Sequence, residues 1–219
     1  MIRAKAALAL ALLLPAAAVR AEDALARCDR GADLLRDRGS YGQRTLEREG
    51  VFVDESREFV QGSAYRAHYV YFLSDAQPAE VVAAFLAGGR AGERGGGRLK
   101  VSFEDAVPYI FVPKPRYTLA STLASLPGGG WRLDMTLDSF ADNSSHPAWF
   151  DAFLRVEPYQ GKTLGLYCKY VVPADKRMPS VANSWTRERA VALARSLRQA
   201  SPAQGADGAR ERLDALFSR

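Results

Sequence analysis

From Trp131 to Asp138 every second residue is apolar: Trp131, Leu133, Met135 and Leu137 alternate with Arg132, Asp134, Thr136 and Asp138. A period of two belongs to an extended strand with one face buried and the other wet, as in an antiparallel sheet. Strand-like segments flank it at short spacing: Leu99–Glu104, Tyr109–Val112, Tyr117–Leu126, Trp149–Glu157 and Thr163–Val172. Gly128–Gly130, Asp142–Ser145 and Gln160–Gly161 separate them as turns. Upstream, from Thr45 onward, Gly50–Val53, Glu58–Val60 and the longer run Tyr65–Leu73 also read as β, with Tyr65, Ala67, Tyr69, Tyr71 and Leu73 sharing one face.

Helical signals are few and well placed. Leu25, Cys28, Ala32 and Leu35 recur at helical spacing and predict a helix over 23–38, ended by Gly39. Ser74 or Asp75 caps a second helix over 79–87, with Pro78 in its first turn and Glu80 completing the cap. Gly88–Gly97 reads as a solvated loop, and no Gly-Lys-Ser/Thr follows to make it a phosphate cradle. A long helix is expected from about Ser180 to Gln199, packing Val181, Trp185, Val191, Ala194 and Leu197 on the sheet. A linker over 201–208 and a short helix over 209–217 close the chain. Strands and helices do not alternate as βαβ units, so the class is α+β.

The amino terminus points outward from the cytoplasm. Arg3 and Lys5 precede an apolar run from Ala6 to Leu14, Pro15 breaks it, and Val19-Arg20-Ala21 forms a small-residue cleavage site. The run is shorter than the roughly 20 residues a spanning helix needs. Residues 1–21 are therefore expected to be a cleaved signal peptide, and the mature domain to be periplasmic or secreted. Removing them takes away Arg3, Lys5 and Arg20, so 30 basic and 25 acidic residues become 27 and 25. A mature charge near +2, without a basic stripe, argues against a nucleic-acid partner. In an oxidising compartment Cys28 and Cys168 are candidates for a disulfide.

The last third carries a resemblance. Phe153–Tyr159, Gly161–Pro173 and the stretch from Val181-Ala-Asn-Ser-Trp through Ala194–Arg198 resemble the end of START-related domains of the helix-grip superfamily, which includes Bet v 1-like proteins. Tyr69–Leu86 looks like that family's opening strand and first helix. The resemblance implies a curved antiparallel β-sheet closed by a long C-terminal helix. It divides the chain into a leader (1–21), an N-terminal helix with an extra β segment (22–62), the helix-grip domain (63–199) and a C-terminal linker with a short helix (200–219). It also implies a space between sheet and helix that takes a hydrophobic small molecule or lipid, with transient membrane contact and no cofactor. Tyr65, Tyr69, Tyr71, Trp131, Met135, Phe153, Leu166, Trp185 and Leu197 are the residues expected to line that space; an ordinary filled core is the alternative for each.

Nucleophilic catalysis needs a base beside a Ser or Cys, and only His68 and His146 supply imidazole. His68 sits mid-strand opposite the tyrosine face, expected at the surface or packed on the sheet. His146 lies in the turn-like Asn143–Pro147, where capping explains it. No Cys/His spacing suits a metal. These absences favour a carrier over an enzyme of the same fold, such as a cyclase or hydratase; a packed envelope-interaction domain is the third reading.

Overall fold

The computed structural model describes residues 39–55, 65–104, 116–140, 147–173, 179–200 and 205–218. Eight strands form one antiparallel sheet: β1 (Val51–Glu55), β2 (His68–Ser74), β3 (Arg90–Gly95), β4 (Arg98–Glu104), β5 (Arg116–Leu126), β6 (Gly130–Phe140), β7 (Pro147–Tyr159) and β8 (Lys162–Pro173). Their order is β1-β2-β8-β7-β6-β5-β4-β3, so the last strand pairs with β2 and the sheet folds around its own middle. Among the described residues four helices cover it: α1 (Gly39–Glu49), α2 (Pro78–Ala87), α3 (Pro179–Arg198) and α4 (Gly205–Phe217).

Around β2 and β8 both faces of the sheet are buried. On β2 the side chains of Val70 and Phe72 enter one core, and those of Tyr69 and Tyr71 enter another, as strand alternation requires. The inner core takes α2, α3 and α4, which contribute Val81, Val82, Phe85, Ala190, Ala194, Leu197 and Leu213. The outer core lies under α1, whose Leu46 meets Phe52, Tyr71, Phe153 and Leu166. Phe72 needs a gap opposite it, which Gly165, its cross-strand partner, leaves: a Cβ there would run into the Phe72 ring. Arg198 of α3 donates to the Glu49 carbonyl at 3.0 Å and fastens the end of α1.

Several expectations shift. Thr45–Glu49 is helical, not β, because its charged residues leave one apolar position, Leu46, to bury against the sheet. The β segment that follows, β1, is not a separate unit but the edge of the same sheet, paired with β2. The stretch expected to be a solvated loop holds β3, an exposed edge strand that turns into β4 through Gly96 and Gly97, both at positive φ. Its glycines and charges hide a strand held by the backbone ladder and by surface contacts such as Glu93 with Lys100 at 3.1 Å. The cap of α2 falls on Gln77, whose N–H donates to Glu80 Oε2 at 2.7 Å. The long helix over 179–198 and the five paired strands from β4 to β8 stand close to where the periodicity put them. The helix over 23–38, the strands at 58–60 and 109–112, and the leader fall outside the described residues, as does Cys28. Cys168 is fully buried in the outer core, and no disulfide is formed among the described residues.

Candidate functional site

The last long strand, β8, carries one charge beyond its first residue, Lys162. Leu166, Cys168, Tyr170 and Val172 feed the outer core, so Tyr167, Lys169 and Val171 face inward beneath α3. Lys169 is only 3% exposed. Its Nζ lies 5.3 Å from the centre of the Trp185 ring, 5.5 Å from that of Phe150 and 5.8 Å from that of Tyr117. Three aromatic faces from three elements therefore wall one ammonium, each within cation–π range. The aromatic wall continues away from it: Tyr117 stacks on Phe103, Phe103 meets Phe85, and Phe85 meets Tyr167.

His68 is the cross-strand partner of Lys169 and lies on the same inner face, fully buried. Neither ring nitrogen has a hydrogen-bond partner; Nδ1 is 3.6 Å from Glu55 Oε1. Burial lowers its pKa to about 4, aided by the nearby Arg187 and Arg66 charges and opposed by Glu55, so the imidazole is neutral near pH 7. Glu55 itself is held at the half-exposed rim, accepting from Arg66 Nη1 at 3.0 Å and lying 3.4 Å from Arg187 Nε.

Beyond Lys169 the same row crosses the sheet through Ala152, Met135 and Ser121. At the Lys169 end, over β2 and β8, α3 packs a stripe of small residues, Thr186, Ala190 and Ala194, all fully buried. Ser121 Oγ, Thr186 Oγ1 and Trp185 Nε1 are buried without hydrogen-bond partners. An unsatisfied buried polar group costs about 1–3 kcal/mol, so so many on one face of a core call for a partner group or a function. The arrangement offers hydrogen-bond donors, one positive charge and a long aromatic wall. Cys168 points to the opposite face from His68, so these two do not pair as nucleophile and base. Among the described residues no cluster of three or more His, Cys, Asp or Glu could hold a metal.

The residues expected from sequence divide between the two faces. Trp131, Met135, Trp185 and Leu197 lie on the inner side. Tyr65, Tyr69, Tyr71, Phe153 and Leu166 belong to the outer core, against which only the start of α3, at Ala182, packs among the described residues of that helix. Their shared face was read correctly as buried but assigned to the wrong side, because burial of both faces removes the polar alternation that tells inside from outside. Lys169, His68, Phe150, Tyr117, Ser121 and Thr186 were missed as site residues. The available signal was a lysine and a histidine of inward parity within otherwise apolar strands.

No family model and no curated sequence matches this chain. Solved structures do. A STAR-related lipid transfer protein from Xanthomonas axonopodis superposes with a TM-score of 0.59 over 68% of this chain and 92% of its own, at 13% identity. Human STARD10 gives 0.57 over 77% and 75%, at 9% identity. The human StarD13 (DLC2) lipid transfer and protein localization domain gives 0.53 over 70% and 85%, at 13% identity. Likeness at such identities speaks to the path of the backbone. With its open antiparallel sheet, first helix after β2 and long helix after β8, the chain has the START-type helix-grip fold.

Proposed function

We propose that this protein is an exported carrier that holds a hydrophobic ligand, a lipid or polycyclic, between the inner face of its sheet and α3, without transforming it. The observation that carries the reading is the inner face itself: an aromatic wall from Phe85 to Phe150 interrupted by buried polar atoms that find no partner in the protein. A core selected only for packing gains nothing from Ser121, Thr186 and an indole N–H left unpaired. A ligand with an apolar body and a few oxygen atoms would bury area at roughly 25 cal/mol per Å² and satisfy them. The START-type fold supports the reading, since the proteins it resembles include lipid-transfer domains by name. Export rests on the leader over 1–21 and would expose the carrier to envelope lipids.

Native mass spectrometry of protein purified from its own host tests this. The expected result is a mature chain starting at Glu22 with a lipid-sized adduct. Adduct-free protein that also takes up no apolar fluorescent probe would overturn the carrier, and turnover of the adduct would replace the carrier with an enzyme.

A further inference from the structure

We propose that the start of α3 is fastened to the sheet edge by an acid-operated latch. Glu55 ties Arg187 to the sheet while the buried His68 beside it is neutral, and protonation of His68 releases that end of the helix. The latch goes beyond the carrier reading and does not depend on it; in a carrier it would set the pH at which α3 opens. Two polar ties hold the first half of α3, from Pro179 to Ala190, at this edge. The Arg66 backbone N–H donates to Asn183 Oδ1 at 2.9 Å, and Arg187 Nε lies 3.4 Å from Glu55 Oε1. Glu55 joins the groups together: its Oε2 accepts from Arg66 Nη1 at 3.0 Å, and its Oε1 is shared by Arg187 and by His68 Nδ1, 3.6 Å away. The far end of α3 is held without a titrating group. There Ser74 Oγ donates to the Leu197 carbonyl at 3.3 Å, and Arg198 Nη1 to that of Glu49 at 3.0 Å.

His68 is fully buried, and neither ring nitrogen has a hydrogen-bond partner among the described residues. Four charged groups face it: Glu55 from β1 and Lys169 from β8, both in register, Arg66 from the approach to β2, and Arg187 from α3. Only one of the four is an anion. An imidazolium carries two N–H donors. In the closed arrangement one of them would compete with Arg187 for a single carboxylate oxygen, and the other would stay buried without an acceptor. Burial, with Arg187 and Arg66, outweighs Glu55, so the closed protein resists the proton until about pH 4. A ring that reaches water accepts it at about 6.5. Acid therefore favours whichever arrangement exposes His68, by about twentyfold between pH 7 and pH 5. Global unfolding is not needed for that exposure. Lifting the start of α3 uncovers the inner face of β2 and β8, and the ladders of β2 with β1 and β8 can stay made.

Amide hydrogen exchange on the full chain, without added ligand, tests the latch as protection factors corrected for the intrinsic effect of pH. From pH 7 to pH 5, wild type should lose about twentyfold of its protection over 179–190, while peptides from β5 to β7 keep theirs. His68→Gln, which cannot take up the proton, should hold the 179–190 protection level over the same range. Arg187→Gln should lower that protection severalfold already at pH 7, since one tie is cut. Imidazole NMR of wild type carries the test if His68→Gln does not fold: protonation of His68 and loss of protection over 179–190 should follow one curve. Unchanged protection down to pH 5 would overturn the latch. So would an equal loss in α3 and in β5 to β7, which means global acid unfolding. A loss that persists in His68→Gln, or a His68 that titrates at about 6.5 with α3 still protected, would overturn it as well. None of these outcomes bears on whether a ligand is carried, so the two readings fail separately.

Discussion

The two faces of the sheet are built from the same strands and differ in what they leave unsatisfied. On the outer face Tyr69, Tyr71, Phe153, Leu166 and Cys168 pack under α1, Tyr69 and Tyr71 are each engaged with neighbours, and Arg132 caps the Phe153 ring from 5.0 Å. On the inner side lie a buried lysine and histidine, Ser121 Oγ on β5, and Trp185 Nε1 and Thr186 Oγ1 on α3, the last three buried without hydrogen-bond partners. Buried polar atoms are the exception in a core that only holds a fold together, and on the inner face several of them gather around one row. Burial alone does not distinguish the two. Polar accounting does.

The largest effect expected is on the outer face. Phe153 is 1% exposed, and Phe153→Ala should cost about 3–5 kcal/mol through lost contacts and a cavity. For a domain of this size that lowers Tm by roughly 2–4 °C per kcal/mol. Denaturant unfolding measures it, and a loss under 1 kcal/mol would mean that the outer core is not the structural one.

The inner face should answer to pH instead. His68 is neutral when folded and titrates near its ordinary value of about 6.5 when unfolded. Between pH 6.5 and about 4 the unfolded chain therefore binds the extra proton, so stability is complete above that window and falls as pH drops through it. The loss amounts to up to about 3 kcal/mol, measured as the difference in slope between wild type and His68→Leu so that the carboxylates common to both cancel. Parallel pH profiles for the two proteins would show that His68 is not desolvated by its fold.

Met135→Trp adds bulk halfway along the inner row. If the space there serves a ligand, the variant should lose less than about 1 kcal/mol of stability while its uptake of a fluorescent fatty acid weakens; a close-packed inner core would lose about 1–3 kcal/mol. The smallest effect belongs to the rim. Arg66→Gln removes one partner of a half-exposed Glu55 and should change stability by less than about 1 kcal/mol. A larger loss in urea unfolding would make the rim part of the core.

Much of the fold was legible in residue spacing. The alternation from Trp131 to Asp138, the turn glycines and the long apolar stripe after Pro179 place β6 and α3 directly, because one-face burial writes itself into sequence as a period. The faces of β2 and β8 were not legible. Strands buried on both sides read as continuous apolar runs, and Tyr69 and Val70 carry no mark of which side faces a ligand. Edge strand β3 stayed hidden for the opposite reason, since it buries nothing. Lys169 and His68 gain their meaning only from register: their adjacency across β2 and β8 spans a hundred residues of chain that no local pattern links.

Labelling by a fatty acid that carries a photoactivated diazirine on its tail tests the central claim most directly, because peptide mapping then reports which face the ligand touches. Adducts on the inner row and its cover, at Met135, Ser121, Ala152 or the α3 stripe around Ala190, are the predicted outcome, competed away by unlabelled fatty acid. Competed adducts on Tyr69, Tyr71 or Phe153 instead would place the ligand under α1 and contradict the assignment of the two faces.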